Sequence, residues 1–248
     1  MTSLLEAEGL ALVGRLQPTS LTIAERGLVC LIGPNGSGKT SLLHAIAGIG
    51  RPAGSVRIDG TATHGLAPAE RMRLFSYLPA SRDVAWPVRV RDLIALGLPE
   101  DSGDRIEDAI ELLELGAFAE RRVDRLSTGE RSRVLIARAL ASAPRLLLLD
   151  EAAANLDPYW QLRLMDVLAG AAARGQAVLL ALHDLDLAGA SADRLILMDK
   201  GRIAADGKPA DILGGSQISE VFGVERSGGR WRPVPYRVNP SADPRSSR

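Results

Sequence analysis

The chain has 248 residues, of which 46% are hydrophobic and 24% charged, the profile of a globular domain with enough apolar residues for a full core. Thirty basic residues offset thirty acidic ones, which excludes a global field recruiting nucleic acid or an anionic membrane. No run reaches the length of a membrane-spanning helix, and Met1 to Glu8 lacks the basic start and apolar run of a secretory signal.

In chain order, Leu4 to Leu12, Leu21 to Ile23 and Ser55 to Ile58 are predicted as short strands joined by Gly-containing turns. Leu28 to Ile32 is a continuous apolar run and reads as a strand buried on both faces. Cys30 within it is expected to act as a small buried hydrophobe, and a single cysteine fits a reducing compartment. Thr40 to Ala47 reads as a helix closed by Gly48. From about residue 80 to 125 strands give way to amphipathic helical spacing, seen in Val90 to Leu98 and Arg105 to Leu115. Helices follow at Arg131 to Ser142 and Trp160 to Ala173, alternating with strands at Leu146 to Leu149, Ala177 to Leu182 and Leu195 to Met198. That alternation predicts an α/β parallel sheet. Gly201 to Gly207 suggests a terminal hairpin, and the Pro-, Arg- and Ser-rich tail from about Arg232 is expected to be poorly ordered beyond Val238.

Between the first buried strand and its helix lies Gly33-Pro34-Asn35-Gly36-Ser37-Gly38-Lys39-Thr40-Ser41, a GxxxxGK[ST] match with strand and helix flanks in place. Glycines let the backbone wrap a polyphosphate so that N–H groups point inward, and the helix N-terminus adds partial positive charge. Lys39 is expected to reach the β- and γ-phosphates, and the Thr40 hydroxyl to ligate Mg²⁺. The loop alone would suit a kinase, a GTPase or a helicase equally.

Arg145-Leu-Leu-Leu-Leu-Asp150-Glu151 ends a strand in two carboxylates at the sheet edge where this loop opens. Asp150 is suited to holding Mg²⁺, and Glu151 to taking a proton from an attacking water. Ser127-Thr128-Gly129-Glu130 has the spacing of a capping box and reads equally as a helix start or as an anion site. His183 follows another buried strand and is placed to meet a γ-phosphate or the water. His44 and His64 are assigned no chemistry.

Together these elements resemble the ATPase subunit of an ATP-binding cassette (ABC) transporter, from about Leu4 to Gly223 in unbroken order. Gly33 to Ser41 matches the Walker A element, Leu146 to Glu151 matches Walker B with its catalytic glutamate, and Leu126 to Glu130 matches LSGGQ. Asn155-Leu-Asp157 matches the D-loop and His183 the switch histidine. The resemblance implies a P-loop NTPase with a RecA-like core and antiparallel β subdomain (about 1–79 and 143–230), a helical subdomain (about 80–142), and a tail from 231. It also implies ATP and Mg²⁺, and a head-to-tail homodimer in which Ser127, Thr128, Gly129 and Glu130 of one copy cap the nucleotide on the other's Lys39, with Asp157 at the interface. Transmembrane permease subunits, a solute-binding protein, no nucleic acid, and peripheral association with the cytoplasmic face of the inner membrane complete the expectation.

Three departures stand out. Ala80 replaces the family's usual Gln after Tyr77-Leu-Pro, leaving no donor or acceptor; Ser81 and Asp83 are candidate substitutes. Leu10 to Gln17 lacks the aromatic that commonly stacks on adenine, so loose base discrimination is expected. Ala152-Ala153 replaces Pro-Thr, and Thr128 replaces a glycine. The stretch Ala85 to Gly97 and the His183-Asp-Leu-Asp-Leu-Ala run resemble importers of cobalamin, haem and iron-siderophores, with the cobalamin ATPase foremost. In that group Trp86 to Asp92 flanks the permease groove, though Trp86 reads equally as subdomain core. An exporter ATPase and a soluble ABC ATPase in cofactor assembly or repair are the rival readings. The transported solute is not legible, because the ATPase does not touch it.

Overall fold

The computed structural model describes residues 3–81 and 87–234. The chain runs β1 (Ser3–Leu12), β2 (Leu16–Ala24), β3 (Gly27–Ile32), α1 (Lys39–Ile46), β4 (Ala53–Ile58), β5 (Thr61–Ala62), α2 (Pro68–Leu74) and β6 (Phe75–Leu78). There follow α3 (Val90–Ala95), α4 (Gly103–Leu112), α5 (Thr128–Ala141), β7 (Leu146–Asp150), α6 (Pro158–Ala173), β8 (Ala177–Ala181) and α7 (Leu185–Ser191). The chain then continues with β9 (Arg194–Asp199), β10 (Arg202–Gly207), α8 (Pro209–Leu213), α9 (Ser216–Phe222), β11 (Val224–Ser227) and β12 (Arg230–Pro233).

The main sheet has the order β10-β9-β3-β8-β7-β6. Its first strand is antiparallel to β9, and the remaining neighbours pair in parallel. Strand periodicity divides the core in two, since successive side chains take opposite faces. Cys30, Ile32, Leu147, Leu149, Val178 and Leu180 belong to a cluster with residues of α3 to α6. Val29, Leu31, Leu146, Leu148 and Leu179 belong to a second cluster, with Leu42, Leu43 and Ile46 of α1 and with Leu5 and Ile58 of the other sheet. Covering both faces is what allows continuous apolar strands here.

That second sheet is antiparallel, with order β2-β1-β4-β5. Where β4 meets β1, Gly54 has φ +91 and a Cβ there would lie 2.4 Å from the Glu8 carbonyl oxygen, so this approach requires glycine. Between β6 and β7, Val90, Ile94, Ile110 and Val134 of α3, α4 and α5 join the first cluster.

Several elements differ from the sequence expectation. β6 is a strand that the hydrophobic pattern does not predict: Phe-Ser-Tyr-Leu is four residues long with two polar-tipped members, yet its parallel pairing with β7 buries Phe75 and Leu78. α5 starts at Thr128 rather than Arg131, because the capping box sets the start. Trp231 and Arg232, expected in the tail, belong to β12, which pairs with β11; the Trp231 indole donates to Asp186 Oδ1 at 3.1 Å. Asp83, Ala85, Trp86 and the chain beyond Val238 lie outside the described residues.

Leu180 is fully buried in β8, paired with Leu149 on one side and Cys30 on the other. Leu180→Ala should lower unfolding free energy by about 2–5 kcal/mol, measured as a fall in urea midpoint at constant slope.

Candidate nucleotide-binding site

β3 delivers the chain into the glycine loop and α1 takes it away. A Cβ on Gly33 would sit 2.5 Å from both the Met198 carbonyl oxygen and Ser37 Oγ; one on Gly38, which has φ +105, would meet Gly201 Cα at 3.0 Å. Glycine is therefore the residue that lets the loop lie against the β9–β10 turn. No side chain caps the N-terminus of α1, and Ser37 Oγ is buried without a hydrogen-bond partner among the described residues. Uncapped helix N–H groups and an unsatisfied buried hydroxyl fit an anionic ligand.

Lys39 is 5% exposed. Its ammonium donates to the Gly33 carbonyl at 2.7 Å and the Pro34 carbonyl at 3.2 Å, so it lies folded over its own loop. Burial lowers its pKa, and the Glu151 and Asp150 carboxylates act in the opposite direction. Asp150 is fully buried at the end of β7. Burial pushes its carboxyl above the ordinary aspartate range, opposed first by a hydrogen bond from the Thr40 hydroxyl. The two expected Mg²⁺ ligands are thus in contact. Among the described residues no group of three His, Cys, Asp or Glu side chains is arranged to hold a metal. A divalent ion here would share Thr40 and Asp150 with ligand phosphates, the habit of Mg²⁺.

Glu151 follows in the left-handed region, with φ +51, and its N–H donates to the Ala181 carbonyl at 3.2 Å. Such a conformation costs a non-glycine residue about 1–3 kcal/mol and turns the side chain off the strand direction. Glu151 Oε1 is bonded to His183 Nε2. β8 delivers that histidine through Leu182, whose N–H donates to the Leu31 carbonyl at 2.9 Å. Glu151 also lines a cavity of about 730 Å³ together with Asn35 to Ser41. Gly14 to Gln17, Lys200 and Gly201 line it too. Gly14 to Gln17 fall in the Leu10 to Gln17 segment that the family resemblance marks, whereas Lys200 and Gly201 belong to no motif and the sequence carried no signal for them.

The remaining predicted residues lie apart from this cavity. Ser127 caps α5: its Oγ accepts from Glu130 N at 3.3 Å while Glu130 Oε2 accepts from Ser127 N at 2.8 Å. Asp157 caps α6, accepting from Trp160 N at 2.9 Å. Neither Ser127, Thr128, Gly129, Glu130 nor Asp157 lines the cavity. A Cβ on Gly129 would meet the Asn155 carbonyl oxygen at 3.3 Å, so the two segments adjoin. Ala80 is exposed just past β6, and Ser81 lines a separate cavity of about 370 Å³ beside Tyr77 and Leu78.

The raised Asp150 pKa has a defined stability consequence. A carboxyl with its folded value above its unfolded one costs nothing below the unfolded pKa, and the cost sets in as pH rises through the raised value. Asp150→Asn should therefore raise the Tm of the ligand-free protein at neutral pH. The gain should shrink as pH falls towards the usual aspartate range of about 4; scanning fluorimetry across pH 5–8 checks both sign and trend.

The model of the ABC transporter family matches residues 16–154. The hemin import ATP-binding protein HmuV of Rhizobium meliloti is 39% identical over 229 residues, covering 86% of this chain and 87% of that protein. Its namesake from Rhodopseudomonas palustris (strain BisA53) is 35% identical over 249 residues, covering 91% and 90%. Among solved structures, a dimeric ATP-binding cassette in a post-hydrolysis state with ADP and Pi superposes with a TM-score of 0.74 at 25% identity, covering 83% of this chain and 98% of that one. The ATP-binding subunit of an ABC transporter superposes with a TM-score of 0.75 at 25% identity, covering 89% and 93%. The chain belongs to the ABC transporter family, as an ATPase subunit.

Proposed function

We propose that this subunit binds Mg²⁺-ATP in the cavity between the glycine loop and Glu151, and that two copies paired head to tail hydrolyse it to drive an importer of haem, cobalamin or an iron-siderophore. The observation that carries the reading is one cavity lined by Lys39, Thr40 and Glu151. Haem leads among the three solutes because relatives covering most of the chain are named hemin import ATP-binding proteins.

Each residue has a derivable part. Lys39 leaves its carbonyl partners to meet the β- and γ-phosphates, and the N–H groups at the start of α1 hold the same oxygens. Thr40 and Asp150 would hold Mg²⁺, which would supply charge neutralisation for the phosphates. Glu151 accepts the proton of the attacking water. His183 holds that carboxylate through Nε2 and orients it. Ser127 to Glu130 and Asp157 belong to the half-site offered to the other copy. Among the described residues no helix is long and apolar enough to cross a membrane; permease subunits, with a solute-binding protein, supply the passage, and this subunit acts at the cytoplasmic face.

Glu151→Gln should lower ATP turnover by about 100-fold or more while ATP binding persists; a turnover left near the parental rate would sink the assignment. Recovery of the tagged protein from membranes with a polytopic partner is expected, whereas a wholly partner-free pool would favour a soluble role. Ala80→Gln should raise the Mg²⁺-dependent rate, because it returns a donor and an acceptor beside the sheet edge; identical rate and Mg²⁺ dependence would dismiss any role for that position.

A further inference from the structure

We propose that Arg133 and Trp160 are a positioning pair that holds the starts of α5 and α6 at a fixed separation, so that Ser127 to Glu130 and Asp157 reach the other copy as one preformed surface. Their role rests on the two-copy reading above, whose half-site they keep rigid. Arg133 of α5 is only 9% exposed, and its guanidinium lies over the Trp160 ring of α6, 4.2 Å from the centroid. The Phe118 ring, in the short helical turn after α4, is within reach at 5.7 Å. A desolvated cation gains more from a ring face than an exposed one.

Polar partners complete the seat. Arg133 Nη1 donates to the Leu113 carbonyl at 3.0 Å and to the Glu114 carbonyl at 3.4 Å. Leu113 is the C-cap of α4, where unpaired carbonyls and the negative end of the helix dipole favour a cation. Burial lowers the Arg133 pKa, and the carboxylates of Glu130, Glu114 and Asp157 act in the opposite direction. One guanidinium thus ties α4 to α5, lies in the field of both half-site carboxylates, and reaches α6, which packs on β3 and β8.

Trp160 is attached to Asp157 as directly as to Arg133, since its N–H donates to Asp157 Oδ1 at 2.9 Å. Arg133 lies three residues beyond Glu130 on the same helix, so α5 itself carries the link to the capping box. Asp157, Trp160, Arg133 and the Ser127–Glu130 helix start therefore form one continuous set of contacts, beside the approach of Gly129 to the Asn155 carbonyl. A surface fixed before pairing avoids the cost of ordering it on pairing. Neither Arg133 nor Trp160 lines the nucleotide cavity, so losing the ring face should weaken pairing and spare ATP binding.

Sedimentation of the full-length Glu151→Gln protein with Mg²⁺-ATP measures pairing with turnover slowed, and calorimetry at a concentration too low for pairing measures ATP affinity. In this background Trp160→Leu should weaken pairing about 10-fold and leave ATP affinity within about twofold of the parent. Arg133→Lys keeps the charge, loses the plane and should behave like Trp160→Leu. Trp160→Phe keeps a ring face and should pair within about threefold of the parent. Unchanged pairing in Trp160→Leu, even with a lower urea midpoint, would reduce the stack to a core contact and overturn the proposal. Equal losses of pairing and ATP affinity, or a Trp160→Phe protein that pairs no better than Trp160→Leu, would overturn it too. A Glu151→Gln parent that binds ATP and never pairs would remove the two-copy reading itself, and this proposal with it.

Discussion

The in-register parallel pairing of β3, β8 and β7 is the constraint on which the rest of the molecule depends. Each strand leads directly into one part of the site, with the glycine loop after Ile32, His183 after Leu182, and Asp150 with Glu151 at the end of β7. Backbone bonds continue the ladder past the strand ends, from Leu182 N to the Leu31 carbonyl and from Glu151 N to the Ala181 carbonyl. Three segments far apart in sequence are thereby fixed at one edge. A one-residue slip would exchange the two faces of every strand and carry the carboxylates into the core.

The same edge concentrates unfavourable features. A fully buried Asp150 carboxyl, a Lys39 with a lowered pKa and a Glu151 in the left-handed region each cost stability in the ligand-free state. Two fully buried strands, β7 and β8, and a core on both faces of the sheet offset that cost. Under the proposed function, a polyphosphate and a divalent ion would complement these same groups, and binding would relieve what folding leaves unmet. This division of labour between scaffold and site is the usual stability–activity compromise.

The fold was legible in the sequence where the hydrophobic pattern was long or uninterrupted. Leu146 to Leu149 and Ala177 to Leu182 read as buried strands, being short apolar runs bounded by turn residues, and the spacing of Ser127 with Glu130 fits a helix start. β6 was not legible, because Ser76 and Tyr77 break the run and its burial comes from pairing with β7. α7 was hidden for a related reason: seven residues including Gly189 and Ser191 carry weak helical propensity, and Asp184, whose side chain accepts from Leu187 N at 2.9 Å, defines its start. Within the site, motif residues declared themselves through spacing. Lys200 and Gly201 did not, since they meet the glycine loop only through tertiary contacts at the β9–β10 turn.

The capping box at the start of α5 has a consequence for any phosphate that approaches it. A helix start with only neutral caps presents net positive potential to an incoming anion. Here Glu130 is held ionised below the usual glutamate range, first by the Ser127 N–H and then by its hydroxyl. One fixed negative charge therefore sits within the first turn, beside Gly129. Attraction between this helix start and any anion is weaker than at a helix start with neutral caps alone, and the more so the more negative the anion.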